Sequence, residues 1–166
     1  MSVETALIKL IKEKFSQYII STHSFRNDDT IVINKEALKQ VMSFLKNDKI
    51  TQFDMLIDVT AVDYLGSAPR FEVVYHLLSI PLRQRLRVKV PITEEDPVLD
   101  SVTNVWPGAN WFEREVFDMF GIRFSGHPYL KRILMYEQFE GHPLRKDYPL
   151  KKQQPIVPLR DVKTKY

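Results

Sequence analysis

Cysteine is absent from this chain of 166 residues. That absence excludes disulfides, thiolate catalysis and any iron–sulfur cluster held by the chain's own thiolates. It fits a reducing compartment. Apolar runs of roughly eighteen residues are also missing, so no membrane-spanning helix is expected. The opening residues MSVETALIKLIKEKF lack a long apolar core and a small-residue cleavage site, so no secretory signal is expected. None of the patterns GxGxxG, GxxxxGK[ST] or GxSxG occurs, so nothing in the sequence cradles a nucleotide or activates a serine.

What is present fits one soluble domain with a tail. Hydrophobic residues make up 44% and charged residues 27%, which is ordinary for a globular protein. A chain of this size buries roughly 70% of its unfolded surface, enough for a real core. Charge is unevenly placed. Residues 123–166 hold ten Lys/Arg against four Asp/Glu, a net of +6, whereas residues 1–122 hold fourteen against seventeen, a net of −3. A basic tail on a mildly acidic body points to docking on something acidic.

The periodicity predicts an α+β domain over 1–122 and an extended basic partner-binding arm over 123–166. Apolar positions Val3, Ala6, Leu7, Leu10, Ile11 and Tyr18 recur at helical spacing over residues 3–18. Residues 18–25 and 30–33 flank the turn-rich Arg26-Asn27-Asp28-Asp29 and predict a hairpin. Asn34 is the expected cap of a helix over 35–46. Three strands follow, at 53–63, 71–78 and 82–90. The first places Phe53, Met55, Ile57, Val59 and Ala61 on one face. The last alternates apolar Leu82, Leu86, Val88 and Val90 with basic Arg83, Arg85, Arg87 and Lys89. Short links favour antiparallel neighbours. The element order implies a single, mostly antiparallel sheet with helices packed on one face. Residues 98–106 read as a short helix. Asn110 is the expected cap of the next helix, and Gly121 its terminator. Prolines break the remainder into short extended pieces, which are expected to stay mobile until a large partner orders them.

Chemistry concentrates in ANWFEREVFDMFGIRFSGHPYLKRILMYEQFEGHPLRKDYPL, residues 109–150. At about 100° per residue, Glu115 falls between Trp111 and Met119, and Glu113 between Phe117 and Phe120. Only Arg114 and Asp118 share a polar sector, as an i, i+4 pair. An unpaired carboxylate among apolar groups suffers desolvation or takes up a proton. Glu113 and Glu115 are therefore expected to find a buried cation, from Arg132, Arg145 or the basic strand. His127 and His142 stand in two Gly-His-Pro corners whose spacing matches no zinc motif. They read as imidazoles satisfying backbone groups at tight turns. A metal or acid–base site built from Glu115, His127 and His142 is the competing enzyme reading. The row Arg83, Arg85, Arg87 lacks aromatics able to stack bases, so a nucleic-acid module is the remote one. Asp54, Asp58 and Glu72 are expected to neutralise that row.

Glu113-Arg114-Glu115, Asp118-Met119-Phe120, His127, Lys131 and Ile133-Leu134 resemble, at matching spacings, the signature of the thirty-kilodalton subunit family of respiratory complex I. Gly141-His142-Pro143-Leu144-Arg145-Lys146-Asp147-Tyr148-Pro149 resembles that family's second block, and Arg132 lies between the two. Weaker likeness covers the strands, including residues 58–64 and 75–79. The resemblance implies a non-catalytic scaffold subunit in the peripheral arm of a proton-translocating NADH:quinone oxidoreductase. It implies no catalytic, cofactor or metal residue in this chain, with FMN and Fe-S centres held by partner subunits. It implies a forty-nine-kilodalton-like D subunit and the cluster-bearing B and I subunits as partners, and no nucleic acid. It places the protein peripherally on the cytoplasmic side of a bacterial inner membrane, attached only through the complex. Related membrane-bound hydrogenases and ferredoxin- or F420-linked dehydrogenases carry similar subunits. Residues 151–166 depart from the family's usual tail. A free-standing bacterial subunit is the expectation.

Overall fold

The computed structural model describes residues 5–26 and 28–157. Val3 of the expected first stripe, Asn27 of the expected turn and the last nine residues of the arm lie outside the described residues.

Helix α1 spans Ala6–Phe15, and the Thr5 hydroxyl oxygen caps it by accepting the Ile8 N–H at 3.3 Å. Leu7, Ile8, Ile11 and Phe15 form its buried stripe; of the other expected positions Ala6 is exposed, Leu10 is half-buried and Tyr18 packs against the core from its edge. Strands β1 (Ile19–Phe25) and β2 (Asp28–Ile33) make the expected hairpin, which closes tightly enough for Asp28 and Asp29 to join the ladder. Asn34 caps a single 3₁₀ turn over Lys35–Ala37, without a side-chain bond. Helix α2 (Leu38–Asn47) then buries Leu38, Val41, Met42 and Leu45. The Phe15 and Phe44 rings meet edge to face at 5.3 Å, joining the two helices.

Strands β3 (Met55–Asp63), β4 (Phe71–Ser79) and β5 (Gln84–Ile92) follow. The five-stranded sheet runs β1-β2-β5-β4-β3. All neighbours are antiparallel except β2 and β5, which run parallel. The period-2 pattern places Phe71, Val73, Tyr75 and Leu77 of β4 beside Leu86, Val88, Val90 and Ile92 of β5 on the buried face. α1, α2 and a third helix cover that face, giving one core. The opposite face is polar. There the Lys89 ammonium meets the Glu72 carboxylate at 2.8 Å, and Arg87 donates to the Thr30 hydroxyl at 3.3 Å. Asp54 is spent otherwise, accepting the Ile80 N–H at 3.0 Å. Arg83 lies in the turn before β5 with φ of 51° and leaves the basic row.

Three expectations are corrected. A register shift between Leu56 and Asp58 reverses the alternation at the start of β3, so Leu56 is buried while Met55 and Ile57 are exposed. Residues 98–106 are not a helix. Val98–Asp100 is strand β6, which pairs in parallel with strand β7 (Arg123–Ser125) as a second, two-stranded ladder. The third helix, α3 (Ala109–Phe120), begins after Gly108 with no side-chain cap, so Asn110 lies inside it. From residue 126 to 157 the chain forms turns and bends, with no helix or strand among the described residues.

Candidate functional site: the clasp between α3 and the arm

The last carbonyls of any helix have no partner within it. α3 ends at Gly121, whose φ of 77° reverses the chain and whose N–H returns to the Phe117 carbonyl at 2.9 Å. The exposed carbonyls are taken by the arm. Asp118 O accepts the His142 Nδ1–H at 2.9 Å, Met119 O accepts the Leu144 N–H at 3.1 Å, and Phe120 O accepts the Arg145 Nε–H at 2.5 Å. A guanidinium at a helix C-terminus is also favoured by the helix dipole. Glycine at 121 is required twice, because a Cβ there would lie 2.6 Å from the His142 ring and 2.8 Å from Arg145. The second Gly-His-Pro corner is thus a cap for α3.

Asp118 forms the second fastening. Its carboxylate is fully buried and receives Arg132 Nη1 at 2.6 Å. Its Oδ2 accepts three successive arm amides, Ile133, Leu134 and Met135, at 3.0, 2.9 and 2.8 Å. Burial alone would raise its pKa. The bonds from Met135, Leu134, Arg132 and Ile133 outweigh that and hold the carboxyl below its usual range. Arg114 does not pair with Asp118. It donates from Nε and Nη2 to the carbonyls of Lys131 and Arg132, at 3.0 and 3.1 Å, on the same stretch of arm.

Arg70 makes the third. It precedes β4 and is 4% exposed. All five N–H donors of its guanidinium are used. Nε and Nη2 grip Asp63 at 3.0 and 2.9 Å, Nη1 and Nη2 grip Asp147 at 3.2 and 2.8 Å, and Nη1 reaches Glu94 at 2.5 Å. The Lys146 N–H adds a bond to Asp63 at 2.8 Å. Arg70 above all keeps the Asp63 and Asp147 carboxyls below their ordinary values. Tyr148 stacks on Phe139 at 6.0 Å and lies against Gly141, closing the arm on itself. The arm is therefore not a loose strap through this region.

Glu113 and Glu115 depart from expectation. Glu113 is fully buried, yet it accepts the Ser101 hydroxyl and the Val102 N–H, both at 2.7 Å, and meets no cation among the described residues. Burial dominates, and its carboxyl is pushed up to about 7. Glu115 is exposed on the same side of α3 as exposed Trp111. Among the described residues nothing buries Glu115, so no cation is needed there. His127 lies at its corner as expected, accepting the Tyr129 N–H on Nδ1 at 2.9 Å and donating from Nε2 to the Asn110 carbonyl at 3.2 Å. Burial lowers the pKa of both His127 and His142. The structure does not gather Glu115, His127 and His142 into a metal site. No three His, Cys, Asp or Glu side chains are grouped to hold a metal among the described residues. The chemistry of the clasp is fastening: acids, guanidinia and carbonyls are spent on each other.

Sequence reasoning missed Arg70, Glu94 and Ser101. Arg70 carried a signal, because a lone arginine heads an apolar strand whose neighbour ends in Asp63.

Comparison with known proteins places these residues in a family. Residues 31–154 match the family described as respiratory-chain NADH dehydrogenase, 30 Kd subunit. The C subunit of NADH-quinone oxidoreductase from Citrifermentans bemidjiense is 51% identical over 145 residues, covering 87% of this chain and 88% of that protein. Among solved structures, the trypsin-resistant fragment (1-134) of Nqo5 is 35% identical with a TM-score of 0.65, covering 76% of this chain and 100% of the fragment. A chain in the membrane-bound sulfane sulfur reductase, an archaeal respiratory membrane complex, shares the fold with a TM-score of 0.71 at 24% identity, covering 87% of this chain and 85% of that one. Fold and sequence together place the chain in one class of α+β proteins. The chain belongs to the 30 Kd subunit family of respiratory-chain NADH dehydrogenases.

Proposed function

We propose that this chain braces the peripheral arm of a bacterial proton-translocating NADH:quinone oxidoreductase. It contributes geometry and no redox centre: electrons pass from NADH through FMN and Fe-S centres in neighbouring subunits to quinone. Its direct neighbours are a forty-nine-kilodalton-like D subunit and the cluster-bearing B and I subunits. The assembly lies on the cytoplasmic side of the inner membrane, to which this chain is held only through the complex. Residues 123–166 are the partner-binding arm, and their net charge of +6 meets acidic groups on the neighbours. The observation that carries this reading is the Asp118 carboxylate, whose four partners all lie on the arm and lock it to the domain. Residues spent in this way shape a surface for others to dock on. No helix among the described residues is long and apolar enough to cross a membrane.

Affinity purification of the tagged chain from its native membranes tests the reading. Flavin- and iron–sulfur-bearing subunits should come with it, together with NADH:quinone activity. Recovery of the chain alone, or with nucleic acid only, would refute it.

A further inference from the structure

Arg114 of α3 and Tyr129, Lys131, Arg132, Met135, Tyr136 and Glu137 of the following segment line an open cleft of about 320 Å³. Arg114 sits between two exposed rings, 5.3 Å from the centre of Trp111 and 5.5 Å from that of Tyr129. The Lys131 ammonium lies 4.9 Å from the centre of the same Tyr129 ring. Among the described residues, neither Arg114 nor Lys131 has a carboxylate within ion-pairing distance, whereas Arg132 beside them is committed to Asp118. Arg114 spends two of its five donors on arm carbonyls, leaving three. Trp111 is 62% exposed and Tyr129 54% exposed. Aromatics and arginine gathered at a surface are typical of protein interfaces rather than free surface.

We propose that this cleft receives a segment of a neighbouring subunit that presents an aspartate or glutamate carboxylate to Lys131 and Arg114, with an apolar side chain against Tyr129 and Met135. The proposal rests on the brace reading and names the chemistry of one contact within it. The cleft's charge selects a single carboxylate. Arg114 and Lys131 face Glu137 in its lining while Arg132 is committed to Asp118, so the uncommitted charge matches one carboxylate rather than a polyanion. The rigidity of the site comes from the clasp: Arg114 fixes the Lys131 and Arg132 carbonyls, and Asp118 fixes the three amides that follow. A pre-formed cleft loses little entropy when a partner binds.

The test uses the intact complex purified from native membranes. A water-soluble carbodiimide couples a lysine amine to a carboxylate in contact with it, and mass spectrometry identifies the joined peptides. Lys131 should be joined to an aspartate or glutamate of another subunit. It should also resist acylation by an N-hydroxysuccinimide ester in the complex while reacting in the isolated chain. Lys131→Glu should lower recovery of the iron–sulfur subunits several-fold while leaving the urea midpoint of the isolated chain unchanged. If Lys131 reacts in the complex as fast as in the isolated chain, with the neighbours still attached, the cleft proposal is overturned and the brace reading stands. If the unaltered chain retrieves no iron–sulfur subunits, the brace reading falls and the cleft proposal falls with it. Protection of Lys131 by phosphatidylglycerol vesicles, but not by assembled subunits, would overturn the proposal in favour of a lipid surface.

Discussion

Replacing Arg70 by methionine would strip the clasp of its one buried cation while keeping much of the side chain's volume. Asp63 would be left with a carboxylate only 2% exposed and a single remaining donor, the Lys146 N–H. Removing one partner of a buried pair costs about 3–5 kcal/mol, because the other charge stays behind without compensation. Asp147 and Glu94 add little to that figure. Their carboxylates are 48% and 50% exposed, and exposed pairs contribute about 0–1 kcal/mol each. Urea unfolding of the isolated chain at pH 7 should therefore place R70M about 3–5 kcal/mol below the parent. Adding Asp63→Asn should recover a large part of the loss, since the stranded charge is then gone. Asp147→Asn alone should lose about 1 kcal/mol or less and yet loosen the arm. A loss under about 1 kcal/mol for R70M, or a double variant no better than the single, would show that Arg70 does not hold a buried charge.

Two further perturbations probe α3. The folded chain keeps the Glu113 proton up to a pKa of about 7, while the unfolded chain releases it near its ordinary 4.5. Stability should therefore fall as pH rises through that window and level off above it, a change of about 3 kcal/mol. In Glu113→Gln the difference from the parent should grow between pH 5 and pH 8, in the variant's favour; parallel urea stability curves would contradict this. Gly121→Ala places a Cβ at a φ of 77°, 2.6 Å from His142. The backbone strain alone should cost about 1–2 kcal/mol. Displacement of His142 and Arg145 should also free the Leu144, Arg145 and Lys146 amides, seen as faster hydrogen exchange. Normal protection there would mean the close approach is not used.

The strands were legible where packing follows a local period. The alternation places the inward side chains from Phe71 to Leu77 and from Leu86 to Val90 correctly, but Leu82, read with the same inward row, lies in the turn before β5 and is exposed. In β3 an irregularity near Ile57 shifts the pattern, and nothing local in the apolar run MLIDV signals it. On α3, helical geometry gave the right direction for Glu113 and Glu115 but not what covers each direction. Glu113 faces the core and is answered by Ser101 and Val102 rather than a cation, while Glu115 faces outward beside Trp111. The reading of both histidines as backbone partners at turns survived, although only the Tyr129 amide belongs to a corner and the two carbonyls, of Asn110 and Asp118, come from α3. Arg70 signalled a partner in Asp63 but not its role as an anchor for the arm. Its two aspartates lie 7 and 77 residues away in sequence, and only the folded topology brings them to one guanidinium. The arm misled for the same reason: five prolines speak against regular structure but say nothing of side-chain fastenings at a distance.

Hydrogen exchange on the isolated full-length chain addresses the clasp most directly. The Ile133, Leu134 and Met135 amides end on Asp118, the Leu144 amide on Met119 O, and the Lys146 amide on Asp63. All five should exchange at least ~100-fold more slowly than an unstructured peptide, and Asp118→Ala should release the first three together. Exchange of these amides at the unstructured rate in the parent chain would mean that the arm is not fastened to α3, and the rigid docking surface would go with it.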